Sequence, residues 1–160
     1  MCFVLYLAAR VPPPLLPHAK YGCRDVNTKA LREYDEPVRA HFTLDQVVYL
    51  GSDQGCGCGF RSTTDPDPGA AEYFASLPDY DTTSTQPNHD ALAARLRQHF
   101  AGEEFVELYG CWDGDFSLPE RGRFEVSVED LTAHAFHFVQ RGYYRVNLRA
   151  PGGDGGDGGG

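Results

Sequence analysis

Asp45–Phe60 reads DQVVYLGSDQGCGCGF, and both the fold and the chemistry of the chain turn on it. Its first half carries Val47-Val48-Tyr49-Leu50, an unbroken apolar run of β-branched, aromatic and aliphatic residues. Such a run predicts a strand covered on both faces, in the middle of a sheet. Its second half leaves that strand through Gly51-Ser52-Asp53-Gln54 and reaches Cys56 and Cys58, each flanked by glycine. Glycine accepts backbone angles other residues avoid and lets other groups come close. Two thiols on such a backbone are open to a metal, a cluster or an oxidant.

Working outward, Asn88 or Asp90 is placed to cap a helix running to Ala101, with Leu92, Leu96 and Phe100 on one face and Gly102 as its stop. Phe105–Tyr109 is the next strand and enters Gly110-Cys111-Trp112-Asp113-Gly114-Asp115. Strand 46–50, helix 89–101 and strand 105–109 make a βαβ unit, which predicts parallel strands joined by a right-handed crossover. Cys2–Leu7 reads as a first strand and Val38–Phe42 as a short one. Residues 11–38, opening on Pro12-Pro13-Pro14 and Pro17, form a crossing loop, with an SH3-type ligand segment as the alternative. Residues 61–88 form a long loop in which 70–77 could make a helical turn or two. Ser127-Val128-Glu129-Asp130 favours a short helix over 127–133 through a capping arrangement, where a strand over 123–128 is the alternative. Phe136–Gln140 and Tyr143–Leu148 predict a closing hairpin turned at Arg141-Gly142. The expected fold is α/β, with α+β as the alternative: a small mixed β-sheet with a βαβ unit, packed helices and a C-terminal β-hairpin. One domain spans 1–149, and 150–160 (APGGDGGDGGG) reads as a disordered tail.

The chain has 160 residues, 41% of them hydrophobic, which is enough for one core. Its net charge of −9, with the 14 basic residues scattered, argues against nucleic-acid or membrane-surface binding. The apolar opening CFVLYLAA is too short for a membrane span and lacks the basic start of a signal peptide. A cytoplasmic location is the resulting expectation. There the five cysteines are expected as thiols.

Both principal strands end alike, in a tyrosine and a glycine followed by cysteine. Parallel strands present their carboxyl ends on one edge of a sheet, where ligands bind in open α/β folds. Cys56, Cys58 and Cys111 are therefore expected to meet. Cys2 joins them if the first strand is antiparallel, and Cys23, after Tyr21-Gly22, is the further candidate. Thiolates in such an array suit zinc or an iron–sulfur cluster. Asp53, Asp113 and Asp115 read as turn residues ahead of an acid–base role. Trp112 is expected to close the core near Cys111. His134 and His137 fall near the last strands, with a fourth-ligand role as the lesser reading. His41, His89 and His99 are expected at the surface, and His18 in the proline-rich loop.

Cys56-Gly57-Cys58-Gly59-Phe60 resembles the Cys-Gly-Cys-Gly-x-Ser-Phe ending of A-type iron–sulfur carrier proteins, which implies cluster binding through the two cysteines and a third upstream. Here the two residues before the phenylalanine are missing and the motif lies mid-chain. Met1-Cys2-Phe3, Val48–Ser52 and Gly55–Phe60 together resemble a group of uncharacterised small bacterial proteins with a G-C-G-C-G-F motif. The Met1-Cys2 start is similar to that of N-terminal-nucleophile amidohydrolases and class II glutamine amidotransferases, although Phe3 replaces their usual Gly or Arg. Cys-x-Cys thiol redox chemistry is a further reading. So is a non-catalytic interaction module, whose acidic surface, proline run and long loop would meet a protein partner.

Overall fold

Phe3–Ala9 forms β1, and all seven of its residues are buried. A segment with no polar face belongs where both sides of a sheet are covered, and β1 lies inside the sheet accordingly. In this computed structural model, which describes residues 2–18, 25–61 and 85–149, β1 pairs antiparallel with β3 (Gln46–Gly51) on one side and β4 (Phe105–Trp112) on the other. The strands β2 (Asn27–Ala30), β5 (Gly122–Ser127) and β6 (Gly142–Asn147) complete a six-stranded sheet in the order β2-β3-β1-β4-β6-β5. β5 and β6 are parallel and the other neighbours antiparallel. The fold is thus a small α/β fold with a mixed sheet.

β3 and β4 run in the same direction, with helix α1 (Thr85–His99) between them in sequence. They are not neighbours, however, because β1 takes the place between them. The βαβ unit is therefore split by an antiparallel strand, a pairing over long sequence distance that the local pattern did not display.

The alternation along β1 sorts the core into two layers. Phe3, Leu5, Leu7 and Ala9 face Leu92, Ala93 and Leu96 of α1, together with Phe100, Leu131 and Phe138. Val4, Tyr6 and Ala8 face the opposite way, toward Val38, Tyr49, Tyr109, Cys111, Phe116 and Tyr143. That second layer holds two buried carboxylates with full sets of donors. Asp35 accepts from Tyr6 Oη (3.0 Å), Arg32 Nε (2.8 Å) and Arg32 Nη2 (2.9 Å). Glu107, wholly buried, accepts from the Thr43 and Leu44 amides, the Thr43 hydroxyl and the Tyr143 hydroxyl.

Four local expectations change. Residues 38–42 are not a strand but fall at the end of a 3-10 helix, Glu33–His41, whose Pro37 has no N–H to give a ladder. α1 spans Thr85–His99, so Asn88 and His89 lie inside it and are buried. The 127–133 region divides: β5 ends at Ser127 and a 3-10 turn follows at Asp130–Thr132. The capping arrangement itself is present, since the Ser127 amide donates to Asp130 Oδ2 (2.7 Å) and the Asp130 amide to Ser127 Oγ (3.1 Å). Near the C-terminus the chain reverses at Arg141-Gly142, with Arg141 at φ 57° and the Gly142 amide bonded to Val139 O (2.9 Å). The returning arm is β6, while 136–139 runs beside it without ladder pairing, held by the Tyr144 hydroxyl. The 70–77 turn, the bulk of the 61–88 loop, Cys23 and the 150–160 tail lie outside the described residues. Among the described residues no helix is long and apolar enough to cross a membrane.

Candidate metal centre

The ladder between β1 and β3 stops at Leu5–Leu50, yet β1 continues to Phe3. The place that β3 leaves is filled by the glycine-cysteine segment. Gly57 lies so close to β1 that a Cβ there would sit 2.9 Å from the Phe3 carbonyl oxygen and 3.1 Å from the Leu5 amide nitrogen. Only glycine brings the backbone this near. On the other side of β1 the ladder to β4 runs one step further, with the Asp113 amide donating to Cys2 O (2.8 Å). Cys2 is thereby held at the rim, next to the segment that carries Cys56 and Cys58.

Among the described residues the result is a group of three thiols. The sulfurs of Cys2, Cys56 and Cys58 all lie within 4.8 Å of one another. Cys2 is exposed, Cys56 half-buried and Cys58 buried. Cys58 belongs to the α1-side core, where its Sγ lies 3.9 Å from Phe3 O.

A buried polar frame fixes the segment. Ser52, fully buried, gives its amide (2.7 Å) and its hydroxyl (2.6 Å) to Cys56 O, and its Oγ accepts the Gly59 amide (3.1 Å). Gly55, at φ 77°, makes the turn that closes this loop, and its amide bonds to Ser52 O (2.9 Å). From α1, Asn88 Nδ2 donates to Asp53 Oδ1 and to Gly59 O (3.0 Å each), and its Oδ1 accepts the Asp53 amide (3.1 Å). His89 adds a contact from Nε2 to Phe60 O and from Nδ1 to Leu131 O, 3.0 Å each. Asn27 Nδ2 donates to Ser52 O (2.7 Å) from the β2 side. The backbone on each side of the Cys-x-Cys segment is therefore anchored, to Ser52 at Cys56 and to Ser52 and α1 at Gly59 and Phe60.

The two adjacent sulfurs differ electrostatically. A hydrogen bond from the Cys58 thiol, aided by the Cys58 amide 3.4 Å from Cys56 Sγ, brings Cys56 down to about 6 against the opposing effect of burial. The same bond, with burial next, pushes Cys58 far up. The Cys58–Cys56 contact therefore pulls the two thiols in opposite directions, Cys56 toward the thiolate and Cys58 toward the protonated form.

Cys111 does not join the group. β4 alternates like any strand, and Cys111 is register partner to Val4, so it faces the Tyr6–Tyr109–Phe116 layer on the far side of the sheet. Its burial, followed by Asp115 and Asp113, pushes its thiol up. The expected convergence of Cys56, Cys58 and Cys111 is corrected by this side-chain alternation, because a shared sheet edge does not imply a shared face. Trp112 takes the other face, packing edge-on against Phe3 at 6.0 Å, and so closes the core away from Cys111. Asp53 acts in the loop frame, whereas Asp113 accepts from Tyr34 Oη (2.9 Å) and Asp115 from Gln140 (3.3 Å). His134 and His137 are outside the thiol group.

His89 and His41 are not the surface residues expected. His89 is buried against Phe60 and Phe138, and His41 stacks on Tyr109 at 3.9 Å. The sequence pointed to neither Ser52 nor Asn88 as frame residues, although Asn88 drew notice as a cap. A buried amide with three loop contacts is a property of packing and leaves no mark in the local pattern. Comparison of the chain with protein-family models, with curated proteins and with solved structures found no match.

Proposed function

We propose that Cys2, Cys56 and Cys58 form a thiolate site for a soft or borderline metal ion, zinc in first place. The observation that carries this reading is the mutual approach of three sulfurs to within 4.8 Å. Tetrahedral zinc–thiolate bonds of about 2.3 Å place sulfurs about 3.8 Å apart, so small side-chain rotations bring these three onto one ion. In a cluster, by contrast, the thiolates are terminal ligands divided over different irons and so lie further apart, which favours a single ion over an iron–sulfur centre. The donor chemistry also fits, because the hydrogen bond from Cys58 shifts Cys56 toward the thiolate that a metal binds. A bound ion would tie the start of β1 to the loop after β3, and three protein ligands leave a position for a fourth donor. A cytoplasmic location belongs to the same proposal, since thiolate metal sites persist where cysteines stay reduced.

The test is elemental analysis of protein purified without a metal-affinity step, beside Cys56→Ser/Cys58→Ser and Cys111→Ser variants. One equivalent of zinc in the parent and in Cys111→Ser, and none in the double variant, is the expected result. Equal metal in parent and double variant defeats the ligand assignment. Iron with a visible absorption band replaces zinc with a cluster.

A further inference from the structure

We propose that the metal-free protein joins Cys2 to Cys56 in a reversible disulfide when it meets a peroxide, closing the site to its metal. Regulation of metal binding in this way rests on the metal reading above, but formation of the disulfide does not.

The choice of partners follows from position. All three sulfurs lie within 4.8 Å of one another, and a disulfide needs two of them to close to about 2.05 Å. Cys58 is the least able to move, because it is buried among core residues and Gly57 behind it is seated on the β1 backbone. Cys2 precedes the first residue of β1 and its side chain is exposed, so it can turn without disturbing the sheet. Cys56 lies just before the 3-10 turn at Gly57–Phe60 and is half-buried, within reach of solvent and of Cys2. Cys111, on the opposite sheet face, has no route to either.

The chemistry balances with the peroxide as oxidant. One thiolate of the pair attacks a peroxide oxygen, the O–O bond breaks, and a sulfenic acid and hydroxide form. The other thiolate then displaces hydroxide from that sulfur and the S–S bond forms. Protons from the two thiols convert both hydroxides to water, so two thiols and one hydrogen peroxide give one disulfide and two waters. A dithiol reductant returns the two electrons and restores both thiols. Because two of the three proposed metal donors are consumed, Cys58 alone of them keeps its thiol.

The experiment treats metal-free full-length protein with one equivalent of hydrogen peroxide, alkylates the remaining thiols, and maps cross-linked peptides by mass spectrometry without reduction. A Cys2–Cys56 linked peptide that vanishes with dithiothreitol is expected, with Cys58 and Cys111 alkylated. In Cys2→Ser, a sulfenic acid trapped at Cys56 by dimedone, with no link, is expected. A Cys56–Cys58 link, or no link at all in the parent, overturns the proposal. A parallel arm loads zinc and follows its release with a chromogenic chelator. Release that keeps step with linkage supports the regulatory role, and zinc retained by the linked protein refutes it. If the chain links but never binds zinc, the metal reading falls and the disulfide stands. If it binds zinc and never links, the disulfide falls alone.

Discussion

Replacing Gly57 with alanine tests whether the close seating of the cysteine segment on β1 is what assembles the site. The added methyl would lie 2.9 Å from Phe3 O, 3.1 Å from the Leu5 nitrogen and 3.2 Å from Phe3 Cδ1. Comfortable separation is about 3.5 Å, so the two backbones must part by about 0.6 Å. Two of the three obstacles are main-chain atoms of β1, which is laddered to β4 at Phe3 and to both β3 and β4 at Leu5, and they cannot rotate away. Overpacking of this kind costs about 1–3 kcal/mol, and the backbone nature of the contacts places it near the upper end. With a urea dependence of about 2 kcal/mol per molar, the midpoint should fall by about 1.5 M. A displacement of about 0.6 Å also exceeds the roughly 0.2 Å tolerance of metal–ligand distances, so zinc affinity should drop tenfold or more. Urea unfolding and zinc competition against a chromogenic chelator read the two effects separately. Gly102→Ala is the control, since a Cβ at Gly102 meets nothing within 4 Å. Its stability should stay within about 1 kcal/mol of the parent. If Gly57→Ala matches Gly102→Ala in both assays, the seating argument is wrong.

Glu107→Ala removes the acceptor for two amides and two hydroxyls in the second core layer. Leaving the buried Tyr143 hydroxyl and the half-buried Leu44 amide without that acceptor should cost about 2 kcal/mol, whereas zinc content should be unchanged because the damage lies on the face away from the thiols; loss below about 1 kcal/mol by urea unfolding would contradict it. His89 supplies a pH dependence. Burial, the dominant cause, depresses its pKa and outweighs the two carbonyls at its ring nitrogens, which favour the protonated form. The unfolded chain therefore takes up a proton below about pH 6.5 that the folded chain refuses, so this contribution is fully present above that pH. It is lost as pH falls toward the depressed folded value, by up to about 1.4 kcal/mol per pH unit. Between pH 7 and 5 the urea midpoint of the parent should fall more steeply than that of His89→Gln; parallel curves would remove His89 as the cause.

What the sequence disclosed and what it hid divide along one physical line. Asp45–Leu50 announced a strand because burial on both faces demands a continuous apolar run such as Val47–Leu50, and β3 stands there; Phe105–Tyr109 announced one too, although the buried Glu107 interrupts its apolar residues. The Ser127/Asp130 exchange was legible because capping is written in neighbouring residues. Gly55–Phe60 drew notice because its composition has no packing explanation. By contrast, the insertion of β1 between β3 and β4 depends on pairing across a hundred residues, and nothing within either segment encodes its neighbour. That one placement decides the site. It carries Cys2 to the rim beside Cys56 and Cys58, while the alternation it imposes on β4 turns Cys111 to the opposite layer. Counting cysteines at strand ends found the right edge of the sheet but was blind to its faces, because a face is fixed by register and a one-residue shift reverses it. The same reasoning says how to break the site selectively: a substitution that keeps every thiol but lifts the segment from β1 should cost metal affinity, whereas Cys111→Ser, removing a thiol from the wrong face, should cost none.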